Sequence, residues 1–300
     1  ADNAVTNSKI IANAITTDKI ADNAVTIKKI SGNGISTTTF LRNDGTWATP
    51  AGGVGGSSQW TTSGNNIYYN LGNVGVGTTN PRTKLETNGD ILVNGITVGN
   101  RGTKFSSNTI FGNSALNTNS IGTANTAIGF QALFSNIYNH NTAVGFQALL
   151  SNTTGSPNTA IGSQALLYNT SGSFNTAIGV GSLEKNTIGS INVAIGGQSL
   201  SENTNGSENT AVGFNSLFKN TSGKRNVAIG ESSLYRNTSG EGNTAIGFAS
   251  FTDTTGSNNT GLGNYTDALS SGLNNATAIG AGAIVDGSNR VRIGNNSVTQ

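Results

Sequence analysis

A seventeen-residue motif recurs along residues 108–280, and its period constrains the fold more than any other feature of the chain. Successive copies begin 17 residues apart, with two steps of 16, at Asn108, Asn125, Asn141, Asn158, Asn175, Asn192, Asn209, Asn226, Asn243, Asn259 and Ala276. A fixed period of this length indicates a repeat architecture. Each unit in such an architecture buries its apolar side chains by stacking on its neighbours.

Three columns of the motif stand out when positions are counted from its first Asn as position 0. Position 3 is Ile, Val or Phe from Phe111 to Ile246, and position 8 is Leu from Leu116 to Leu234. Gly recurs at position 14 between Gly155 and Gly240. In stacked parallel strands, equal positions lie about 4.8 Å apart. We therefore expect an all-β parallel β-roll or β-solenoid with a core at positions 3 and 8, and a Gly turn that needs positive φ.

One Ile and one Leu per coil make a small core, because apolar burial must offset the entropy of ordering seventeen residues. We therefore expect further copies of the chain to cover a second apolar face in an obligate homo-oligomer, with three copies as the expected number. The candidates for that contact are Ala at position 2, Ala or Ser at position 7, and the four Phe residues of position 5, namely Phe130, Phe146, Phe214 and Phe248.

The remainder of the chain divides into three further regions by composition. Residues 1–36 contain a ten-residue repeat, with β-branched residues and Asn in register, that predicts an intertwined fibrous β shaft. Residues 37–60 form a junction with a Gly-rich connector. Residues 61–105 predict a small β module, since Asn88-Gly89 and Asn94-Gly95 are hairpin turn signals. The 17-residue β-roll is assigned to residues 106–300.

Composition and charge narrow the classes of partner. Charged residues make up 10% of the chain and the net charge is +2, so we expect no nucleic-acid partner and no membrane insertion. The chain has no Cys, which removes disulfides and thiolate metal sites. It also has no Met, so we expect it to be a segment of a longer or processed protein.

Catalytic chemistry finds little support in the residues. His140 is the only histidine and is interpreted as a solvated turn residue. The acidic residues that paired-carboxylate catalysis would need fall at differing motif positions, and each is interpreted as a solvated charge, namely Glu184, Glu202, Glu208, Glu231 and Glu241. We expect no catalytic residue, metal site or cofactor, and no enzyme activity.

A column of threonines at position 1 has two interpretations. It comprises Thr126, Thr142, Thr159, Thr176, Thr210 and Thr244. An exposed Thr ladder on a flat β-solenoid would order water, as in ice-binding proteins. A strand position that tolerates Thr is the structural alternative, because Val193 and Val227 occupy the same column.

Two stretches of the chain carry resemblances to known families. Residues 274–294, NNATAIGAGAIVDGSNRVRIG, resemble the head repeats of trimeric autotransporter adhesins, the YadA-like β-roll. The NAVT..KI repeats, FLRNDGTWATP at 40–50 and LGNVGVGTTNPRTKLETNGDILVNG at 71–95 are similar to bacteriophage tail-fibre segments. The closing VRIGNNSVTQ resembles the stretch that leads into an endosialidase-type intramolecular chaperone. The period of 17 departs from the shorter repeats of the adhesin heads.

These resemblances imply an extracellular structural fibre or adhesin, on a cell-surface appendage or on the fibre of a virion or injection apparatus. Its expected partners are other copies of itself and a cell-surface glycan or protein receptor. The receptor-binding residues are not identified by the sequence. The alternatives are a solenoid enzyme that acts on polysaccharide and an ice-binding β-solenoid.

Overall fold

The computed structural model describes residues 73–76, 78–87, 89–99, 107–118 and 121–298, together with the backbone of 40–41, 47–48, 61–63 and 66–68. Within these residues the structure contains strands and no helix. The strands are β1 (Phe40–Leu41), β2 (Trp47–Ala48), β3 (Thr61–Ser63), β4 (Asn66–Tyr68), β5 (Val74–Val76), β6 (Leu85–Thr87), β7 (Ile91–Val93), β8 (Ile96–Gly99), β9 (Thr109–Gly112), β10 (Thr126–Ile128), β11 (Thr142–Val144), β12 (Asn158–Ile161), β13 (Asn175–Ile178), β14 (Val193–Ile195), β15 (Thr210–Val212), β16 (Val227–Ile229), β17 (Thr244–Ile246), β18 (Thr260–Leu262), β19 (Asp267–Ala268), β20 (Thr277–Ile279), β21 (Ile284–Val285) and β22 (Val291–Ile293).

The repeat folds into one stack of parallel strands. Strands β9 to β18, β20 and β22 follow one another in a single sheet, one strand per coil. Equal motif positions pair between coils, as in Ala177 with Ala194 and Ile178 with Ile195. The predicted β-solenoid of 17-residue coils is confirmed. The 16-residue steps keep the same strand register, as in Thr126 with Thr142.

An antiparallel hairpin precedes the parallel stack in the same sheet. Strands β7 and β8 pair antiparallel, and β8 pairs antiparallel with β9. Asn94 and Gly95 connect the hairpin with φ of 48° and 80°. Two consecutive positive φ values fit the type I′ turn that an Asn-Gly pair favours. The hairpin predicted at this dipeptide is therefore present. The other predicted Asn-Gly turn does not join a hairpin, because β6 and β7 on either side of it do not pair with each other.

The remaining strands form two-stranded sheets. They pair as β1 with β2, β3 with β4, β5 with β6, and β19 with β21. Strands β1 to β4 belong to one compact unit, and β7 to β22 belong to a second. The predicted shaft of residues 1–36 and the Gly-rich connector within 37–60 lie outside the described residues.

The core of the stack lies at positions 2, 7 and 8, which corrects one of the two columns predicted from sequence. The Leu residues of position 8 are fully buried, as predicted. The Ala residues of position 2 and the Ala or Ser residues of position 7 are also fully buried, so they are not contacts to another chain. Position 3 is wrong as a core column, because its side chains point outward and the Ile residues are 36% to 40% exposed.

Strand geometry explains why position 2, and not position 3, faces the core. Successive strand residues point to opposite faces, so when Ala177 points inward both Thr176 and Ile178 must point outward. The interior is narrow at position 2. A Cβ built on Gly261, the one Gly of this column, would lie 2.7 Å from Ser250 Oγ and 3.1 Å from Phe251 Cδ2. Ala fills this column from Ala127 to Ala245, and the larger Ile110 is buried at the same position of the first rung.

Two ladders of buried Asn complete the interior. At position 0, the backbone N–H of Asn175 donates to Asn158 Oδ1 at 2.9 Å, and Asn158 Nδ2 donates to the Gly172 carbonyl at 2.9 Å. At position 11, Asn186 Nδ2 donates to Asn169 Oδ1 at 2.7 Å and to the Gly189 carbonyl at 2.9 Å. These bonds satisfy polar groups that would otherwise be costly to bury. Four Asn residues of position 11 also begin N-x-S/T triplets, and their side chains are buried in the ladder, namely Asn152, Asn169, Asn220 and Asn237.

Gly at position 14 is required by crowding, which corrects the predicted reason for its presence. None of the residues from Gly155 to Gly240 in this column has a positive φ. A Cβ on Gly189 would lie 2.3 Å from the Gly206 carbonyl oxygen and 2.4 Å from Asn186 Oδ1. Positive φ is found instead at the Gly of position 4, at position 6, at position 16 and at the buried Leu of position 8, where Leu200 has φ of 51°.

Candidate functional site

The outward face of the parallel sheet carries a stripe whose central column is apolar at every rung. We define the outer stripe as positions 1, 3 and 5 of the twelve rungs formed by β9 to β18, β20 and β22. Its central column is position 3, namely Phe111, Ile128, Val144, Ile161, Ile178, Ile195, Val212, Ile229, Ile246, Leu262, Ile279 and Ile293. Because every rung pairs in register, this column is unbroken from the first coil to the last.

The stripe is large enough to be an interface. Twelve rungs at about 4.8 Å span about 53 Å, and positions 1 to 5 would span about 13 Å at strand rise, so the whole face covers roughly 700 Å². Only its central column is apolar at every rung. A specific protein interface of standard size buries about 800 Å² per partner and combines apolar with polar groups. The area of the face is therefore close to that which one partner contributes to such an interface.

Aromatic rings at position 5 form one edge of the stripe. Phe130 and Phe146 stack with ring centroids 5.5 Å apart and planes inclined by 11°. They are 44% and 47% exposed. Farther along the column, a Cβ on Gly197 would lie 3.3 Å from Phe214 Cδ2, so the Phe214 ring lies close to the Gly197 backbone. The Phe residues predicted to contact another copy are thus on the outward face, as that prediction requires.

Glu231 is the one charged residue of the outer stripe. It occupies position 5 between Phe214 in the preceding coil and Phe248 in the following coil. Its side chain is exposed. None of the ion pairs found among the described residues includes Glu231. This exposure is consistent with the sequence interpretation of Glu231 as a solvated charge.

Other charges lie off the stripe and pair between coils. Lys185 Nζ lies 2.8 Å from Glu202 Oε2, and Arg225 Nη2 lies 2.8 Å from Glu241 Oε2. The hydrogen bond and the charge of Glu202 raise the pKa of Lys185. These pairs are exposed, so each contributes little to stability. Their geometry indicates solvated surface charges, as expected for Glu202 and Glu241.

His140 is exposed and has φ of 59°. Its backbone N–H donates to the Thr123 carbonyl of the preceding coil at 3.1 Å. This placement agrees with the predicted solvated turn residue. Among the described residues, no three His, Cys, Asp or Glu side chains lie together in a way that would hold a metal ion.

Threonine forms two columns with different surroundings. Thr126, Thr142, Thr159 and their equivalents at position 1 are only half-exposed and flank the Ile column. A second column at position 12 was not singled out from sequence. There Thr187 Oγ1 donates to the Thr204 carbonyl at 3.0 Å, and this bond repeats along neighbouring coils. The hydroxyl protons of this exposed column are thus used to join coils.

Two Asp residues from different coils line one surface hollow of about 440 Å³, a pairing that sequence reasoning missed. Asp253 Oδ1 lies 3.3 Å from Arg236 Nε. Burial raises the pKa of Asp267, the nearby Asp253 charge adds to this effect, and a hydrogen bond from the Ala268 N–H opposes it. The pair could not be recognised from sequence spacing. Asp267 lies in the coil after the second 16-residue step and occupies position 8, where other coils carry a core Leu.

A larger hollow of about 750 Å³ lies at the last coil and is bordered by Ile284, Asp286 and Arg290. Arg290 Nη1 contacts Asp286 Oδ2 at 3.0 Å, and this hydrogen bond lowers the pKa of Asp286. Because both side chains are largely exposed, the contact is a surface ion pair of small energy.

Comparisons with known proteins identify no relative. No family model, curated protein or solved structure matches the chain. Among the described residues, no helix has the length and apolar character needed to cross a bilayer.

Proposed function

We propose that this chain is a structural segment of an extracellular fibre or adhesin that extends from a cell or particle surface and mediates attachment to a target surface. The observation that carries the proposal is the unbroken parallel stack with an apolar column along its whole outward sheet face. A stack in which every coil contacts only its neighbours gains length with each repeat. Such a structure provides reach and a repetitive surface.

Self-association is the second part of the proposal. The outer stripe has an area of roughly 700 Å², close to the 800 Å² that one side of a standard interface buries. The six Ile side chains of this column between Ile128 and Ile246 are 36% to 40% exposed and would lose this exposure against another copy. We propose a homo-oligomer of parallel copies joined through the stripe, with three copies as the expected number. The second binding partner would be a surface glycan or protein receptor.

Light scattering coupled to size-exclusion chromatography tests the self-association. The unmodified chain is expected to elute as an oligomer. Replacement of Ile178 and Ile195 by Glu places two charges in the middle of the stripe and is expected to shift the mass to that of the monomer. The matched control replaces Ile188 and Asn205 by Glu, because these exposed residues occupy position 13 of the same two coils. A monomeric unmodified chain would refute the proposed assembly.

The attachment role needs separate assays. Binding to a panel of glycans and surface proteins, without release of reducing ends from the glycans, is the result expected for an adhesin. Glycan cleavage would favour the alternative of a polysaccharide-acting enzyme. Thermal hysteresis in a freezing assay would favour the ice-binding alternative.

A further inference from the structure

A periodic stripe does not by itself fix how two copies align. The central column contains Ile, Val, Leu or Phe at every rung, so a copy shifted by one coil meets nearly the same side chains. Eleven of the twelve rungs would still be covered after such a shift. The register of any self-association must therefore come from residues that interrupt the repeat.

Position 5 is the column in which the repeat is interrupted. Its side chains vary from coil to coil, in the order Asn113, Phe130, Phe146, Ser163, Val180, Gly197, Phe214, Glu231, Phe248, Asn264, Ala281 and Asn295. Within this series Glu231 differs most from its neighbours in chemistry. Its carboxylate is flanked along the column by the rings of Phe214 and Phe248 and takes part in none of the ion pairs of the described residues.

We infer that Glu231 sets the register of self-association through the outer stripe, so that copies align with their Glu231 side chains at one level. This inference rests on the proposed assembly. When copies align in register, all Glu231 carboxylates lie at the same rung, so hydrated groups interrupt the apolar contact at that rung only. When one copy is shifted by a coil, its carboxylate faces a Phe of its neighbour, and more than one level is interrupted.

The relative size of two electrostatic effects favours the aligned state. Carboxylates at one level repel each other, but water between them weakens this repulsion. A carboxylate pressed against an apolar side chain loses its hydration without gaining a partner, which is the larger cost. A single polar residue in an otherwise apolar seam fixes register in coiled coils for the same reason.

A sorting experiment tests the inference in the full chain. In the variant E231V/V180E, the single charge of the stripe moves by three coils along the same column, while the net charge is unchanged. This variant and the unmodified chain carry tags of different mass, are unfolded together and refolded, and their oligomers are counted by native mass spectrometry. Mixed oligomers are expected to fall several-fold below their statistical share, because they would contain two charged levels.

The matched control is E184V/N205E, which also moves one negative charge but keeps it off the stripe. Mixed oligomers of this control with the unmodified chain are expected at the statistical share. Free mixing of E231V/V180E would overturn the inference, and so would failure of that variant to form its own oligomers beside those of the unmodified chain. Monomers of every chain would instead show that the proposed self-association is wrong.

Discussion

Asn203 illustrates how single polar residues hold neighbouring coils together. Its Nδ2 donates to Asn186 Oδ1 at 2.7 Å and to the Gly206 carbonyl at 3.0 Å, while its Oδ1 accepts from Asn220 Nδ2 at 2.7 Å. The side chain is fully buried. Each bond links position 11 either to the adjacent coil or to the following turn. The ladder therefore fixes both the spacing of coils and the path of the chain within each coil.

Replacement of Asn203 by Ala should destabilise the stack by about 2–4 kcal/mol, because three buried polar partners lose a hydrogen bond at once. Urea unfolding followed by circular dichroism measures the change. Asn205→Ala is the control, since Asn205 is exposed two residues away, and its effect should stay within about 0.5 kcal/mol. Equal effects of the two substitutions would contradict the structural role of the ladder.

Gly189 and Gly272 provide a matched pair for testing backbone crowding. A Cβ at Gly189 would lie 2.3 Å from the Gly206 carbonyl oxygen, whereas a Cβ at Gly272 would have nothing within 4 Å. Gly189→Ala should therefore cost about 3 kcal/mol, as expected for a clash with backbone that cannot move freely. Gly272→Ala should be neutral or slightly stabilising. A thermal melt of each variant gives the comparison.

Asp267 should make stability depend on pH in a defined direction. Its pKa in the folded state is raised above the ordinary value of 3.8, mainly by burial. The folded protein therefore holds this proton more tightly than the unfolded chain does. The resulting stabilisation is complete below the ordinary pKa and is lost as the pH rises through the raised pKa.

The Asp267→Asn variant cannot ionise at this position and should lack that loss. Its unfolding free energy, relative to that of the unmodified chain, should increase between pH 3 and pH 7 in urea titrations. Asn can still accept the hydrogen bond from the Ala268 N–H, so this contact is retained. A difference that stays constant over the range would contradict the assigned effect of burial.

A single coil is the structural element of this protein, and its strand is only three or four residues long. Such a strand is stable here because its Leu, Ala and Asn side chains meet identical residues in the coils on both sides. For example, the Leu200 N–H donates to the Ser216 carbonyl of the next coil at 3.0 Å. Stability therefore arises from contacts between neighbouring coils.

Deletion of one whole coil should be tolerated. Removal of residues 192–208 joins Ile191 to Asn209 and keeps every motif position in phase. The shortened chain should retain its β-sheet circular dichroism spectrum and a cooperative melt, with a modestly lower midpoint. Deletion of residues 192–199 removes about half a coil and brings Leu200 to position 0, the place of the buried Asn192, so it should abolish the cooperative melt. Similar melts of the two deletions would contradict the register requirement.

At the scale of the whole molecule, the two ends of the stack differ from its middle. Strand β14 has paired strands on both sides, whereas β22 is the terminal strand of its sheet among the described residues. Val291 and Ile293 at this end are 67% and 71% exposed, and Ile195 in the middle is 38% exposed. The loss of one neighbouring coil accounts for the difference.

Hydrogen exchange should be slower in the middle of the stack than at the β22 end. Backbone amides of Val193–Ile195 are expected to exchange much more slowly than those of Val291–Ile293, because local opening at an end breaks one set of contacts and opening in the middle breaks two. Mass spectrometry of exchanged peptides measures the protection. Equal protection at the two sites would show that the stack opens as a single cooperative unit.

The sequence alone was sufficient for the architecture. The equal spacing of Leu166, Leu183 and Leu200 indicated a stack of equal coils, because layers of one period superimpose a residue of one type at every step. The Asn94-Gly95 pair also identified its hairpin, since few other dipeptides adopt two positive φ values at low cost. Both features depend on local geometry or on strict repetition, which a single sequence contains in full.

The tertiary structure decided which columns face inward. Ala177 and Ile178 are adjacent, so sequence hydrophobicity favoured Ile for the core, but alternation along the strand allows only one of the two to face inward, and the structure places Ala177 there. Gly189 is needed for space because the Gly206 carbonyl oxygen of the next coil and Asn186 Oδ1 lie close to it. Period is a property of the chain and can be read from one sequence. The side that each residue faces depends on contacts with other parts of the coil and with neighbouring coils, and these contacts form only in the folded stack.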